Sequence, residues 1–280
     1  MQLFVDQITV IDCGVLDRLR GLMGVSWIVD LSLTGEIDTH TGMIVDFGPV
    51  KTLVKQRLDA LVDHRLLVPG QAAGLDRADT DDGLSLHFHD DAGYRVDYLA
   101  PADAVCILPT DTVEPAAIAA LLEADLRPRL PDRVSGLSLT LREEAIPGAE
   151  YQYCHGLAAH DGNCQRLAHG HRCRLEVEVD GQPSPAHAQR WSRQWRQVFL
   201  GSREHLIGDP STTRHRFGYT ADQGRFELEL DARRCVLLDG PSTVENIARH
   251  IAEQLKREQP NHRFRVRAFE GVHKGAVAET

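Results

Sequence analysis

Residues 25–34, VSWIVDLSLT, alternate apolar and polar positions, and residues 172–179, RCRLEVEV, do the same; a period of two predicts a half-buried strand in each. Each run follows a glycine, Gly24 or Gly170, and leads into a turn, GEIDTHTG at 35–42 and DGQPSP at 180–185. Helices are expected next, over about 47–62 and about 186–200. The segments 84–99 and 214–230 then read as strand pairs, with DDAG and ADQG as their hairpin turns. A capped helix follows each pair. The first is predicted over 110–126, with Asp111 or Thr112 at the cap; the second, over 242–255, repeats the cap and the Thr-Val-Glu triplet. Beyond polar breaks holding Pro131 and Pro260 come strands at 138–144 and 264–270, which end in Glu143 and Glu270, each with a glycine five positions on. The chain thus reads as two copies of strand–strand–helix–hairpin–helix–strand, residues 1–149 and 150–280. The fold class is α+β.

Composition narrows what such a chain does. With 42% apolar and 26% charged residues over 280 positions it is ordinary globular protein. A formal charge of −10 argues against a nucleic-acid or anionic-membrane binder, whose footprint is basic. There is no apolar run of the ~20 residues needed to cross a bilayer, and the N-terminus lacks the pattern of a secretory signal. Six scattered cysteines fit a reduced, cytoplasmic protein better than a disulfide framework.

The densest chemistry lies in YCHGLAAHDGNCQRLAHGHRCRLEV, residues 153–177. His169 and His171 lead into a strand two positions apart, so both imidazoles point to one face and reach one metal ion. His155, at the end of the preceding strand, offers a third imidazole, with His160 as its competitor. Three histidines and an open position make a catalytic zinc pattern, whereas a structural zinc closes its shell with four protein ligands. Cys164 sits between the ligands in a Gly-Asn-Cys turn; a thiolate near a cation is a base or nucleophile, although a metal ligand or a plain buried residue has the same spelling. Cys154 and Cys173 read as buried strand residues. In the first copy, Asp63 and His64 stand together at a helix end, where a carboxylate can orient an imidazole for acid–base work. Glu143 and Glu270 could meet a cationic or amidine-like ligand edge.

Taken in order, Cys-x4-His-Gly-His into a strand, an upstream His, the turn GEIDTHTGMIVDF, Asp-His, a T-x-E helix and a strand-terminal Glu resemble the 6-pyruvoyl-tetrahydropterin synthase and 6-carboxy-tetrahydropterin synthase family of the tunnelling fold. In that family one domain of half this length carries the whole set; here two tandem copies share it. The resemblance implies zinc ligands at His155, His169 and His171, the catalytic thiol at Cys164, and its proton-transfer partner at Asp63 and His64. It departs from the family at Met23-Gly24-Val25, which replaces His-Gly-His in the first copy, with Cys13-Gly14 where the first ligand is expected, and no Cys-bearing loop. The second copy lacks the TGMIVDF turn and has Glu204-His205 for Asp-His. One copy keeps metal and thiol, the other the acid–base pair.

The resemblance further implies that each half is a four-stranded antiparallel sheet with two helices on one face, and that several halves close into a barrel. It implies a homo-oligomer, a dimer or larger, and a pterin substrate, 7,8-dihydroneopterin triphosphate. Glu143 or Glu270 would hold the aminopyrimidine edge, and the family's threonines near the second helix correspond to Ser242 and Thr243. The alternatives are a zinc- and pterin-binding protein without turnover, or a non-enzymatic oligomeric scaffold.

Overall fold

In a computed structural model, which describes residues 1–210 and 212–280, the first copy opens with two long antiparallel strands, β1 (Gln2–Asp17) and β2 (Gly21–Gly35). Asp46 caps α1 (Phe47–Leu61) by accepting from Gly48 N–H at 2.9 Å, and Val50, Val54 and Leu58, four apart, form its buried stripe. Then come β3 (Leu66–Pro69), β4 (Leu75–Thr80), β5 (Gly83–His89), β6 (Arg95–Ala100), β7 (Val105–Leu108), α2 (Pro115–Leu126) and β8 (Val134–Glu143). The second copy runs through β9 (Ala149–His155), β10 (His169–Val179), a short β11 (Gln182–Pro183), α3 (Pro185–Gln194), β12 (Arg196–Ser202), β13 (Leu206–Ile207), β14 (Arg214–Ala221), β15 (Gly224–Asp231), β16 (Cys235–Leu238), α4 (Val244–Glu258), β17 (Phe264–Phe269) and β18 (Gly275–Glu279).

Sheet order shows the duplication. The first copy forms β7-β3-β1-β2-β8, and the second repeats it as β16-β12-β9-β10-β17, extended by β18 and by β11 against β10. The expectation of four-stranded, wholly antiparallel sheets is corrected here. The sheets hold five and seven strands, because a short strand follows the first helix of each copy and joins in parallel: β3 against β1 and β7, β12 against β9 and β16. The hairpins leave the main sheets of their own copies. β15 pairs antiparallel with β6, which makes one six-stranded sheet, β13-β14-β15-β6-β5-β4, across both copies.

Two helix boundaries also differ from the sequence expectation. The helix expected to reach residue 200 stops at Gln194, because Val198, Phe199 and Leu200 are buried in the parallel strand β12. The helix expected from 110 starts at Pro115, whose ring suits a first helical position; Glu114 takes the cap, and Thr110 is folded into a turn through its hydroxyl, 2.6 Å from Thr112 O.

Three cores result: one under α1 and α2, one under α3 and α4, and a third that joins both copies around Phe217, Phe226, Leu86 and Tyr98. β2 is buried on both faces over residues 21–29. One face meets its own helices, and the other crosses β9 and β10 of the second copy. The crossing is close: a Cβ on Gly24 would lie 2.1 Å from Tyr153 O, and one on Gly170 would lie 2.6 Å from Gly24 Cα. Only glycine permits that approach.

Candidate metal centre and acid–base dyad

Antiparallel pairing of β9 with β10 sets His155 opposite His169, with His171 two positions further along the same face. All three are buried, and their donor nitrogens lie within 4.8 Å of one another. The tautomers follow from what stands behind each ring. His155 Nδ1 is 3.0 Å from the carbonyl of Ser242, and His169 Nδ1 is 2.7 Å from the carbonyl of Arg166; a carbonyl only accepts, so each Nδ1 carries the hydrogen. His171 Nδ1 faces the Asp12 carboxylate at 3.3 Å, an ion-pair distance whose angle falls short of a hydrogen bond. Each Nε2 is left with a lone pair, directed inward. His155 Nε2 and His171 Nε2 are only 3.1 Å apart, and His169 Nε2 is buried without a hydrogen-bond partner among the described residues. Converging lone pairs repel unless a cation lies between them, so this donor set fits a metal ion, and three imidazoles with an outer ring of acceptors suit zinc. Burial first, and then the neighbouring imidazoles, push His155 and His169 well below the ordinary histidine range, which keeps them in the neutral form a metal requires.

The acid–base pair from the first copy reaches the same place. α1 ends at Leu61, and Asp63 and His64 follow at once. His64 has a left-handed backbone, φ 54°, a conformation that costs a non-glycine residue about 1–3 kcal/mol and persists only where its surroundings impose it. Here its N–H donates to Asp12 O at 2.9 Å, and its Nδ1 pairs with Asp63 Oδ2 at 2.7 Å. The His64 ring lies 5.0 Å from that of His169, and the Cys164 thiol stands with them: donor atoms of His64, Cys164 and His169 lie within 4.8 Å of one another. Burial pulls the His64 imidazole down, but the Asp63 carboxylate, which accepts from Nδ1, and the nearby Cys164 outweigh it and push its pKa up to about 10. Thiol, imidazole and carboxylate form one chain of groups, assembled from both copies within a single polypeptide.

The cysteine loop is pinned from several sides. Gln223, in the β14–β15 turn, accepts from Arg166 Nε at 2.9 Å, donates to Asn163 Oδ1 at 3.1 Å, and takes Gln165 Oε1 on its backbone N–H at 3.1 Å. Tyr219 donates to Gln165 O at 2.6 Å, Arg166 reaches Asp63 O at 3.4 Å, and the first copy's Tyr98 donates to Leu167 O.

The matching position in the first copy is apolar. β1 and β2 pair Val15 with Met23 and Cys13 with Val25, as β9 and β10 pair His155 with His169 and Tyr153 with His171. The counterpart of His155 is therefore Val15, and Cys13 stands for Tyr153, which corrects the expectation that Cys13-Gly14 marks the first ligand. Val15, Met23 and Val25 are all buried hydrophobics.

The remaining expected residues scatter. Ser242 is buried behind His155, with its hydroxyl also 3.0 Å from Nδ1, so it supports the ring. Thr243 caps α4. His160 lies exposed in the loop, outside the cluster. Glu143 is exposed, 3.5 Å from Arg172. Glu270 lies on the site side, where Lys274 stands 3.9 Å from it and 3.8 Å from Asp12. The ammonium is itself held above the ordinary lysine value: burial lowers it, but Asp12, Glu270, Cys164 and Asp63 prevail. His205 packs at a tilt against Tyr219 and faces Glu204 at 3.8 Å, beside a cavity of about 340 Å³ lined by loop residues 156–160, Pro241 and Thr243. Sequence reading missed Asp12, Ser26, Arg166 and Lys274. The signal for Asp12 is a single acid inside an apolar strand, ITVIDCGV.

Comparison with known proteins agrees with the repeat. The 6-pyruvoyl tetrahydropterin synthase family model matches twice, over residues 18–151 and 147–280. Among solved structures, the chain is similar to 6-pyruvoyl tetrahydropterin synthase from Plasmodium vivax, with 18% identity and a TM-score of 0.39 over 51% of this chain and 97% of that one. It is also similar to the Plasmodium falciparum enzyme, with 14% identity and a TM-score of 0.37 over the same shares. Matched along both of its copies, the chain belongs to the 6-pyruvoyl tetrahydropterin synthase family as a tandem duplicate.

Proposed function

We propose that the chain is a zinc-dependent lyase of the tetrahydropterin synthase kind, acting on 7,8-dihydroneopterin triphosphate at one composite site per polypeptide. The observation that carries this reading is the meeting of Cys164 with His64 and Asp63 beside three convergent imidazoles. Zinc held by His155, His169 and His171 would polarise the oxygens of the substrate side chain. Cys164, as thiolate, takes a proton from a carbon next to them, and the released electron pair expels triphosphate as its carbon–oxygen bond breaks. His64 completes the relay as an imidazolium: Asp63 holds its Nδ1–H, and its Nε2–H keeps Cys164 ionised, passes to the expelled triphosphate and is replaced by the proton the thiol has taken. Glu270 holds the aminopyrimidine edge of the pterin by charge-assisted hydrogen bonds, because it lies on the site side while Glu143 is turned to solvent against Arg172. Six free cysteines suit a reducing compartment such as the cytoplasm, and no helix among the described residues is long and apolar enough to cross a membrane.

The test is turnover with product identification. Zinc-loaded protein should consume dihydroneopterin triphosphate, and Cys164→Ala should not. Stoichiometric zinc with pterin binding but no product would leave a binding protein in place of an enzyme.

A further inference from the structure

Asp12 belongs to the copy without metal ligands, yet it touches His171 and both members of the Asp63–His64 pair. Its carboxylate Oδ1 lies 3.3 Å from His171 Nδ1. Its backbone N–H donates to Asp63 Oδ1 at 2.8 Å, and its carbonyl accepts from His64 N–H at 2.9 Å. Ser26 Oγ donates to Asp12 Oδ1 at 2.5 Å, and the same hydroxyl accepts from the N–H of Arg172, next to His171, at 3.0 Å. The Asp12 side chain is 4% exposed. A carboxylate so buried is costly unless it is paired, and Lys274, 3.8 Å away and itself 57% exposed, is the more distant of its two ionic partners.

The matching register position in the second copy supports a purpose for that charge. Asp12 pairs with Ser26 across β1 and β2, as Gln152 pairs with Arg172 across β9 and β10. Gln152 carries no charge, and it belongs to the copy whose opposite number has Val15, Met23 and Val25 instead of ligands. The acid stands only where it faces imidazoles.

We propose that Asp12 is the positioning residue of the metal centre. Its carboxylate holds His171 with Nε2 free for the ion and strengthens that nitrogen as a ligand, as an outer carboxylate does for a metal-bound imidazole. Its backbone holds Asp63 and His64 in register with the same centre. The inference rests on the reading that the three histidines hold zinc.

Asp12→Asn keeps the shape and removes the charge. In the full chain, stripped and titrated with zinc against a chromophoric chelator, we expect affinity to fall about 10- to 100-fold while the metal-free protein melts close to wild type. Co²⁺-loaded protein should show a shifted ligand-field band, which a purely structural role would leave in place. A folded Asp12→Asn protein with zinc affinity within about twofold of wild type overturns the proposal. If that variant does not fold, Ser26→Ala decides: weaker zinc binding supports the role, and unchanged binding overturns it. A wild-type chain that takes up no zinc fails at the earlier step, the metal reading itself, and removes this inference with it.

Discussion

Cys164 and His64 come from opposite copies of the repeat and meet beside His169, with donor atoms within 4.8 Å of one another. Neither copy supplies both. If they act as one proton-transfer chain, Cys164→Ala and His64→Ala should each lower turnover by about 10²–10⁴ while zinc stays bound. The double variant should be little worse than either single one, because groups that act as a unit fail as a unit. His205, packed against Tyr219 away from the cluster, should matter far less. Full activity in His64→Ala together with loss in His205→Ala would place the chemistry wholly in the second copy.

Metal analysis should find one zinc per chain, and His169→Ala and His171→Ala should each lose it. Chelation should lower the melting temperature and re-addition restore it, since an ion at a hundred times its dissociation constant adds about 2.7 kcal/mol to the native state. Two zinc ions per wild-type chain would contradict the apolar triplet Val15, Met23 and Val25.

Glu270 and Glu143 are separable by substrate affinity. Glu270→Gln should raise KM by about 10- to 100-fold, the loss of one charge-assisted bond of ~1.5–3 kcal/mol. Glu143→Gln should leave KM near wild type, because that carboxylate is exposed and paired with Arg172. Equal effects would sink the assignment.

The outer strands of the sheets, β7 and β8 in one and β16 and β18 in another, leave backbone groups open to a further chain. Sedimentation should therefore report a dimer or larger. A clean monomer at micromolar concentration would count against closure of the sheets into a barrel.

Much of this site is legible in the amino-acid order. A period of two puts His169 and His171 on one face, and antiparallel pairing with the preceding strand adds His155. The family resemblance alone points Asp63 and His64 to this cluster; local pattern does not show their landing there. That landing depends on how the copies face each other, set by the close backbone crossing at Gly24 and Gly170 and by the pairing of β6 with β15. Local pattern misleads at residues 195–200, where WRQVFL continues the amphipathic run of α3 but is claimed by a gap between β9 and β16 that only a strand fills. Asp12 escapes notice because the imidazole it faces belongs to the other copy.

Gly24 makes the crossing itself testable. Gly24→Ala would drive a methyl into Tyr153 O and the backbone of His171, at 2.1 and 2.5 Å. Overpacking of this kind costs about 1–3 kcal/mol or more, and the strain falls on the strand that carries a ligand. Zinc content should drop along with melting temperature; a variant as stable and as metal-rich as wild type would show that the strands part without penalty.

The strand pairing of β6 with β15 has one more consequence. It makes the meeting of thiol and dyad an event of folding, not of encounter between molecules. Zinc uptake per chain should not fade on dilution. Nor should two defective polypeptides, one lacking Cys164 and the other lacking His64, rescue each other when mixed, because each carries its own lesion into every centre it builds.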